Sequence, residues 1–174
     1  MAITRLGPNQ SVNLASNVTG TLPSGNLPAG SVLQVIQTVK TDDFTTTSTS
    51  FTDVTGLSAS ITPSSSSNKV LVTASFCSSQ GTNSAINMFN LVRGSTTLGQ
   101  PASSKTFTST RTQYTAESDN IDTVHLQFLD SPSSTSATTY KIQAKCNGGT
   151  LIMGTRSSDD AEQISIITLM EVSA

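Results

Sequence analysis

Lys69-Val70-Leu71-Val72-Thr73-Ala74-Ser75-Phe76 alternates apolar and polar residues along most of its length. Successive side chains of a strand point to opposite faces, so Val70, Val72, Ala74 and Phe76 line one buried face. The run is entered through Pro63 and Ser64-Ser65-Ser66-Ser67-Asn68, a turn-forming stretch. The same period returns in Asp122 to Leu129 (Val124, Leu126, Phe128) and in Thr139 to Cys146 (Tyr140, Ile142, Ala144, Cys146). Ser31 to Lys40 reads as a further strand, and Ser50 to Thr62 as another strand or a hairpin, broken at Gly56. Short strands at this spacing, with turn signals between them and no amphipathic helical stretch, predict an all-β fold. The expected form is an antiparallel jelly-roll sandwich of about eight strands.

Two segments depart from one-sided alternation. Ala85 to Val92 is apolar on both faces. In Gln163 to Val172, Ile164, Ile166, Met170 and Val172 share one face while Ile167 and Leu169 share the other. A sandwich strand packs one face and normally wets the other. Apolar surface beyond the core marks an interface. The expectation is a homo-oligomer whose subunits meet through Ile86, Met88, Phe89, Leu91, Ile167 and Leu169.

Residues 1–30 read differently from the domain expected over 31–174. Gly7, Pro8, Gly20, Pro23, Gly25, Pro28 and Gly30 exclude a helix or a central strand there. Isolated leucines at Leu6, Leu14, Leu22 and Leu27 suit an extended arm that docks on a neighbour; a flexible tail is the plainer alternative.

About a third of the 174 residues are Ser or Thr, 11% are charged and the formal net charge is -2. Lys and Arg are scattered rather than clustered, which argues against a nucleic-acid partner. No apolar run reaches the roughly 20 residues that span a bilayer, and no secretory signal is visible at the N-terminus. The chain reads as made and used without membrane insertion.

Little chemistry stands out. Cys77 and Cys146 each end an alternating run and read as buried free thiols, with a mutual disulfide as the alternative. His125 is the only histidine, and no Gly-x-Ser-x-Gly elbow accompanies it. Asp42-Asp43 and Asp159-Asp160-Ala161-Glu162 are loop carboxylates without EF-hand spacing, so they read as solvated charge, not as a metal site. Asn17-Val18-Thr19 matches a glycosylation sequon, and Gly148-Gly149 is turn punctuation. No cofactor site and no enzymatic activity are expected.

Several phrases, in order along most of the chain, resemble domains of fibre and other virion surface proteins of tailed bacteriophages, marine and cyanobacterial ones especially. They are Asn17-Val18-Thr19-Gly20-Thr21-Leu22-Pro23, Ser60-Ile61-Thr62-Pro63 running on to Val72, Leu91-Val92-Arg93-Gly94-Ser95, Thr139 to Gln143, and Ile167 to Val172. The resemblance implies a jelly roll similar to tumour-necrosis-factor and complement head domains, packed as a homotrimer on the outer surface of a virion. It implies a fibre or appendage tip in host attachment, anchored to other virion proteins through the arm. Capsid decoration by the same trimer is the alternative, and a glycan-modifying enzyme the distant third. The loops Thr41 to Ser50, Ser131 to Thr138 and Arg156 to Glu162 would carry binding, their hydroxyls and amides suiting host surface glycan.

Overall fold

A computed structural model describes residues 27–81, 85–100, 110–113, 121–156 and 159–174. Among these every regular element is a strand. In chain order they are β1 (Val32–Lys40), β2 (Phe44–Thr46), β3 (Thr52–Ile61), β4 (Lys69–Gln80), β5 (Ile86–Arg93), β6 (Thr96–Leu98), β7 (Thr110–Gln113), β8 (Ile121–Asp130), β9 (Thr138–Cys146), β10 (Leu151–Met153), β11 (Thr155–Arg156), β12 (Asp159–Glu162) and β13 (Ser165–Val172). Every strand pairing among the described residues is antiparallel.

The first sheet runs β1–β13–β4–β8, with β10 on β4 beyond the end of β13 and β2 on β10. The second runs β3–β9–β5, with β6 and β7 both on the remaining edge of β5. β11 and β12 form a separate two-stranded ribbon. The thirteen elements thus fall into two four-row sheets and a ribbon. Two segments read as loops carry short strands: β2 lies within Thr41 to Ser50, and β12 with the last residue of β11 within Arg156 to Glu162.

Pairing is nested. β1 pairs the last strand β13, β3 pairs β9, β4 pairs β8, and β5 pairs the two short strands that follow it. Register then fixes what faces inward. Ile36, Leu169, Val72 and Phe128 form one row across the first sheet, and Thr38, Ile167, Ala74 and Leu126 the next. Facing them from the second sheet are Tyr140, Ile142, Ala144, Leu91 and Phe89, all buried. Phe76 and Phe89 meet edge-on between the sheets, centroids 4.9 Å apart at 61°, the geometry a pair of ring quadrupoles favours.

The nesting also gives the molecule two poles. At one, Leu27 to Ser31, the Pro63–Asn68 turn, the Gly94 hairpin, the Ser131 to Ala137 loop and the C-terminus come together. Gly30 N–H donates to Ser173 O, Ser173 N–H donates back to Ser31 O, and the Ser173 hydroxyl donates to Pro28 O. The opposite pole carries residues 41–51, 81, 85 and 147–150.

Each pole is closed by buried polar groups, nearly all of which find partners, as low dielectric demands; the exception among the described residues is Gln80 Oε1 at the far pole, buried without one. At the first, the Glu171 carboxylate accepts from Gln34 Nε2, from Asn68 Nδ2 at 2.6 Å, and from the Ser64 N–H and hydroxyl at 2.7 and 2.8 Å. Beside it, Arg93 Nη1 donates to both oxygens of Asp130, and the buried Tyr140 hydroxyl donates to Asp130 Oδ2 at 2.7 Å. That trio ties the end of β8 to β5 and β9 and so locks one sheet to the other. At the far pole Gln80 donates to Asn87 Oδ1 at 2.7 Å, and Asn87 donates to Ser78 Oγ and Ser79 O.

Candidate functional site: the outer face of the first sheet

Residues that alternate with the inward rows form the sheet's outer face. Register places Val35, Met170, Leu71 and Leu129 in one line across all four strands. The next line is Gln37, Thr168, Thr73 and Gln127, in which Gln37 Nε2 donates to Thr168 Oγ1 at 3.0 Å. The third is Val39, Ile166, Ser75 and His125. Val172 and Lys69 continue the face beyond the apolar line. A shallow depression of about 360 Å³ lies over the polar line, lined by Thr73, Ser75, His125, Gln127, Ile166 and Thr168.

This arrangement corrects the interface expected from the sequence. Phe89, Leu91, Ile167 and Leu169 are fully or nearly fully buried inside one copy and fill its core. A side chain enclosed by its own chain has no surface to offer another. Only Ile86 and Met88, half-buried on the second sheet, keep exposed area. The two-sided pattern of β13 was read with its faces exchanged: Ile166, Met170 and Val172 look outward. The signal that identifies the outer line was present as off-phase apolar residues, Val35 in one strand and Leu71 in another. What joins them is register, which a single strand does not carry.

The outer face of the second sheet is different in kind. Lys141 pairs with Asp53 at 2.7 Å, Gln143 donates to the other Asp53 oxygen, and Lys145 stands 4.7 Å over the Phe51 ring. The Lys141 and Gln143 bonds hold the Asp53 carboxyl below its ordinary range.

The remaining candidates resolve as follows. His125 is exposed on the outer face of β8 and lines two depressions. Cys77 and Cys146 are buried and free. Burial pushes the Cys77 thiol up, and its sulfur accepts the Gly154 N–H at 3.3 Å. Cys146 Sγ lies 3.7 Å from the carbonyls of Thr46, Ser48 and Gly149. Asp42 pairs at 2.8 Å with the buried Lys40 ammonium, and that hydrogen bond lowers the Asp42 carboxyl. Among the described residues no group of three His, Cys, Asp or Glu side chains is placed to hold a metal. No helix there is long and apolar enough to cross a membrane. Leu27 lies half-buried beside its own chain's Leu33, Ser173 and Ala174, while Leu6, Leu14, Leu22 and the sequon at Asn17 fall outside the described residues.

Two of the loops expected to carry binding lie at opposite poles. Thr41 to Ser50 lies at the far pole, whereas Ser131 to Thr138 lies beside the chain's entry at Leu27. Comparison with family models and with curated protein sequences finds no match for this chain.

Proposed function

We propose that this chain is a structural protein of a bacteriophage virion, a trimeric jelly-roll domain at the tip of a tail fibre or similar appendage that takes part in host attachment. The nested pairing supports the jelly roll. A ribbon whose first row pairs its last, second its seventh, third its sixth and fourth its fifth is the wrapped double Greek key of that fold. The virion assignment draws on the order of phrases resembling phage fibre domains.

The observation that carries the reading is the polarity of the sandwich. Residues 27–31 and the C-terminus are stitched together at one pole, while 41–51, 81, 85 and 147–150 gather at the other. A domain held at the first pole presents the second outward. Binding is then assigned to the far pole, and Ser131 to Thr138 is withdrawn from it. The mechanism is surface recognition by hydroxyl and amide groups of loops on a rigid scaffold, with host surface glycan as the suited partner.

Localisation tests it. Antibody labelling of purified particles is expected to decorate appendage tips. Label spread over the whole head would replace attachment with capsid decoration, and particles without label would remove the virion assignment.

A further inference from the structure

We infer that the outer face of the second sheet, at its far-pole end, is a binding surface for an acidic glycan, a chain of sugar rings that carry carboxylates. The inference rests on the far-pole reading above for its purpose and deepens it by giving the partner a charge and a place.

Alternation in β9 decides what this face presents. Tyr140, Ile142, Ala144 and Cys146 are buried between the sheets, so Lys141, Gln143 and Lys145 point outward. Register sets Met88 beside Lys145, and Arg111 beyond Met88, in one row across β9, β5 and β7. Phe51 stands at the other end of that row, with the Lys145 ammonium 4.7 Å from the centroid of its ring. The next row is Asp53, Gln143 and Asn90. Phe51 belongs to the 41–51 segment and Lys145 precedes the 147–150 turn, so the first row lies at the far pole.

Charge balance singles out Lys145. Lys40 pairs with Asp42, Arg93 with Asp130 and Lys141 with Asp53. Lys145 has the Phe51 ring and, among the described residues, no carboxylate. A ring face attracts an ammonium without cancelling its charge. A chain whose formal net charge is -2 thus carries here a row with two cationic residues and no acid.

Spacing names the occupant. Lys145 and Arg111 stand two strands apart, roughly 10 Å, and Lys141 lies four residues from Lys145, about 13 Å along the strand. Cations set this far apart suit a polymer charged on some of its units. Duplex nucleic acid carries a charge for every ~1.7 Å of its axis and calls for a denser cluster. Between the cations, the half-buried Phe51 and Met88 offer an apolar bed to the CH face of a sugar ring. A carboxylate carried directly on that ring reaches Lys145 from the same bed. Lysine takes it as a point charge, without the fixed fork that a guanidinium imposes.

The test is fluorescence anisotropy of end-labelled oligogalacturonate titrated with the full chain at low salt, beside neutral dextran of equal length. Oligogalacturonate is expected to bind about tenfold tighter than dextran. Salt at 1 M, which screens charges beyond about 3 Å, should abolish the difference. Lys145→Gln should weaken oligogalacturonate binding about three- to fivefold. Lys69→Gln, which removes the same charge from the other sheet, should leave it unchanged. Phe51→Leu should weaken binding of the acidic probe while keeping its salt dependence. Thermal melts of the three variants report that each is folded. Oligogalacturonate bound no better than dextran, or bound equally by Lys145→Gln, overturns the inference. Dextran binding alone overturns it as well, yet leaves far-pole recognition standing with a neutral partner. Tighter binding of dextran sulfate or of an oligodeoxynucleotide overturns the uronate as occupant. Antibody labelling of particles, which tests the proposed function, is independent of all these outcomes.

Discussion

At the scale of single residues, a few positions bear burdens that composition hides. Glu171 is 1% exposed and has no cationic partner among its hydrogen bonds. Burial pushes its carboxyl up, but the bonds from Asn68, Gln34 and Ser64 together outweigh burial, and the net shift is downward. A carboxylate with a lowered folded pKa adds stability that is fully present above the unfolded value, near pH 4.3. That stability is lost as pH falls through the folded value. Glu171→Gln, which turns an amide NH₂ toward groups that already donate, should cost about 1–3 kcal/mol at neutral pH. Urea unfolding of both proteins from pH 7 to pH 3 should show the gap closing below about pH 4; a gap independent of pH would contradict the account. Gly154 is constrained by space as well as by conformation. Its φ is +97°, and a Cβ there would lie 2.6 Å from Asp43 Oδ1 and 3.2 Å from Asp43 Cα. Gly154→Ala should lower stability by about 1–3 kcal/mol. Gly94→Ala meets nothing within 4 Å and should cost no more than about 1–2 kcal/mol, the left-handed backbone alone. Thermal melts of the two variants distinguish them.

At the scale of elements, β13 is the instructive strand. Its alternation was legible, and so was the fact that both faces are apolar. Which face is the core was not, because both carry isoleucine. Burial follows from the partners: Leu169 stands in line with Ile36, Val72 and Phe128 between two sheets, while Met170 stands in line with Val35, Leu71 and Leu129 outside one. The strands β3, β4, β5, β8 and β9 were legible from period and turn residues for the same reason that they are stable, since one face of each is buried; β1, half-buried on its inward face, was legible from its apolar run. The short strands β2, β10, β11 and β12 were not all foreseen, because two to four residues carry too little pattern to register a period. The candidate surface was legible only in pieces, since it exists as a line across four segments far apart in the chain. Leu169→Ala should therefore destabilise the domain by about 2–5 kcal/mol through the cavity it leaves. Met170→Ala, which removes a half-buried side chain from the outer face, should stay within about 1 kcal/mol. Chemical denaturation that finds the two equal would reverse the assigned faces.

At the scale of the whole molecule, the nested pairing gives the domain two distinct poles, which the proposed attachment role would divide into a held end and a presented end. The polar groups that close the first pole, Glu171 with the Ser64 turn and Arg93 with Asp130 and Tyr140, fix the sandwich where the chain enters and where it ends. The far pole is closed by the uncharged Gln80 and Asn87 amides, above which 41–51 and 147–150 project. The outer face of the first sheet is open from the first pole to the Ser75–His125 line, beyond which Gly154 and Thr155 lie against Cys77 and Ser79. In the proposed attachment role the first pole would be the attachment end and the far pole the recognition end. An epitope inserted between Gly148 and Gly149 would stand on the recognition end, and one inserted between Ser134 and Thr135 on the attachment end. Both sites are loops outside the strands that pair, so both insertions should leave the melt nearly unchanged. On intact particles an antibody should reach the epitope at 148 and be excluded from the one at 134. Equal access to both would mean that the first pole is not against the particle, and the order of ends proposed for this domain would have to be given up.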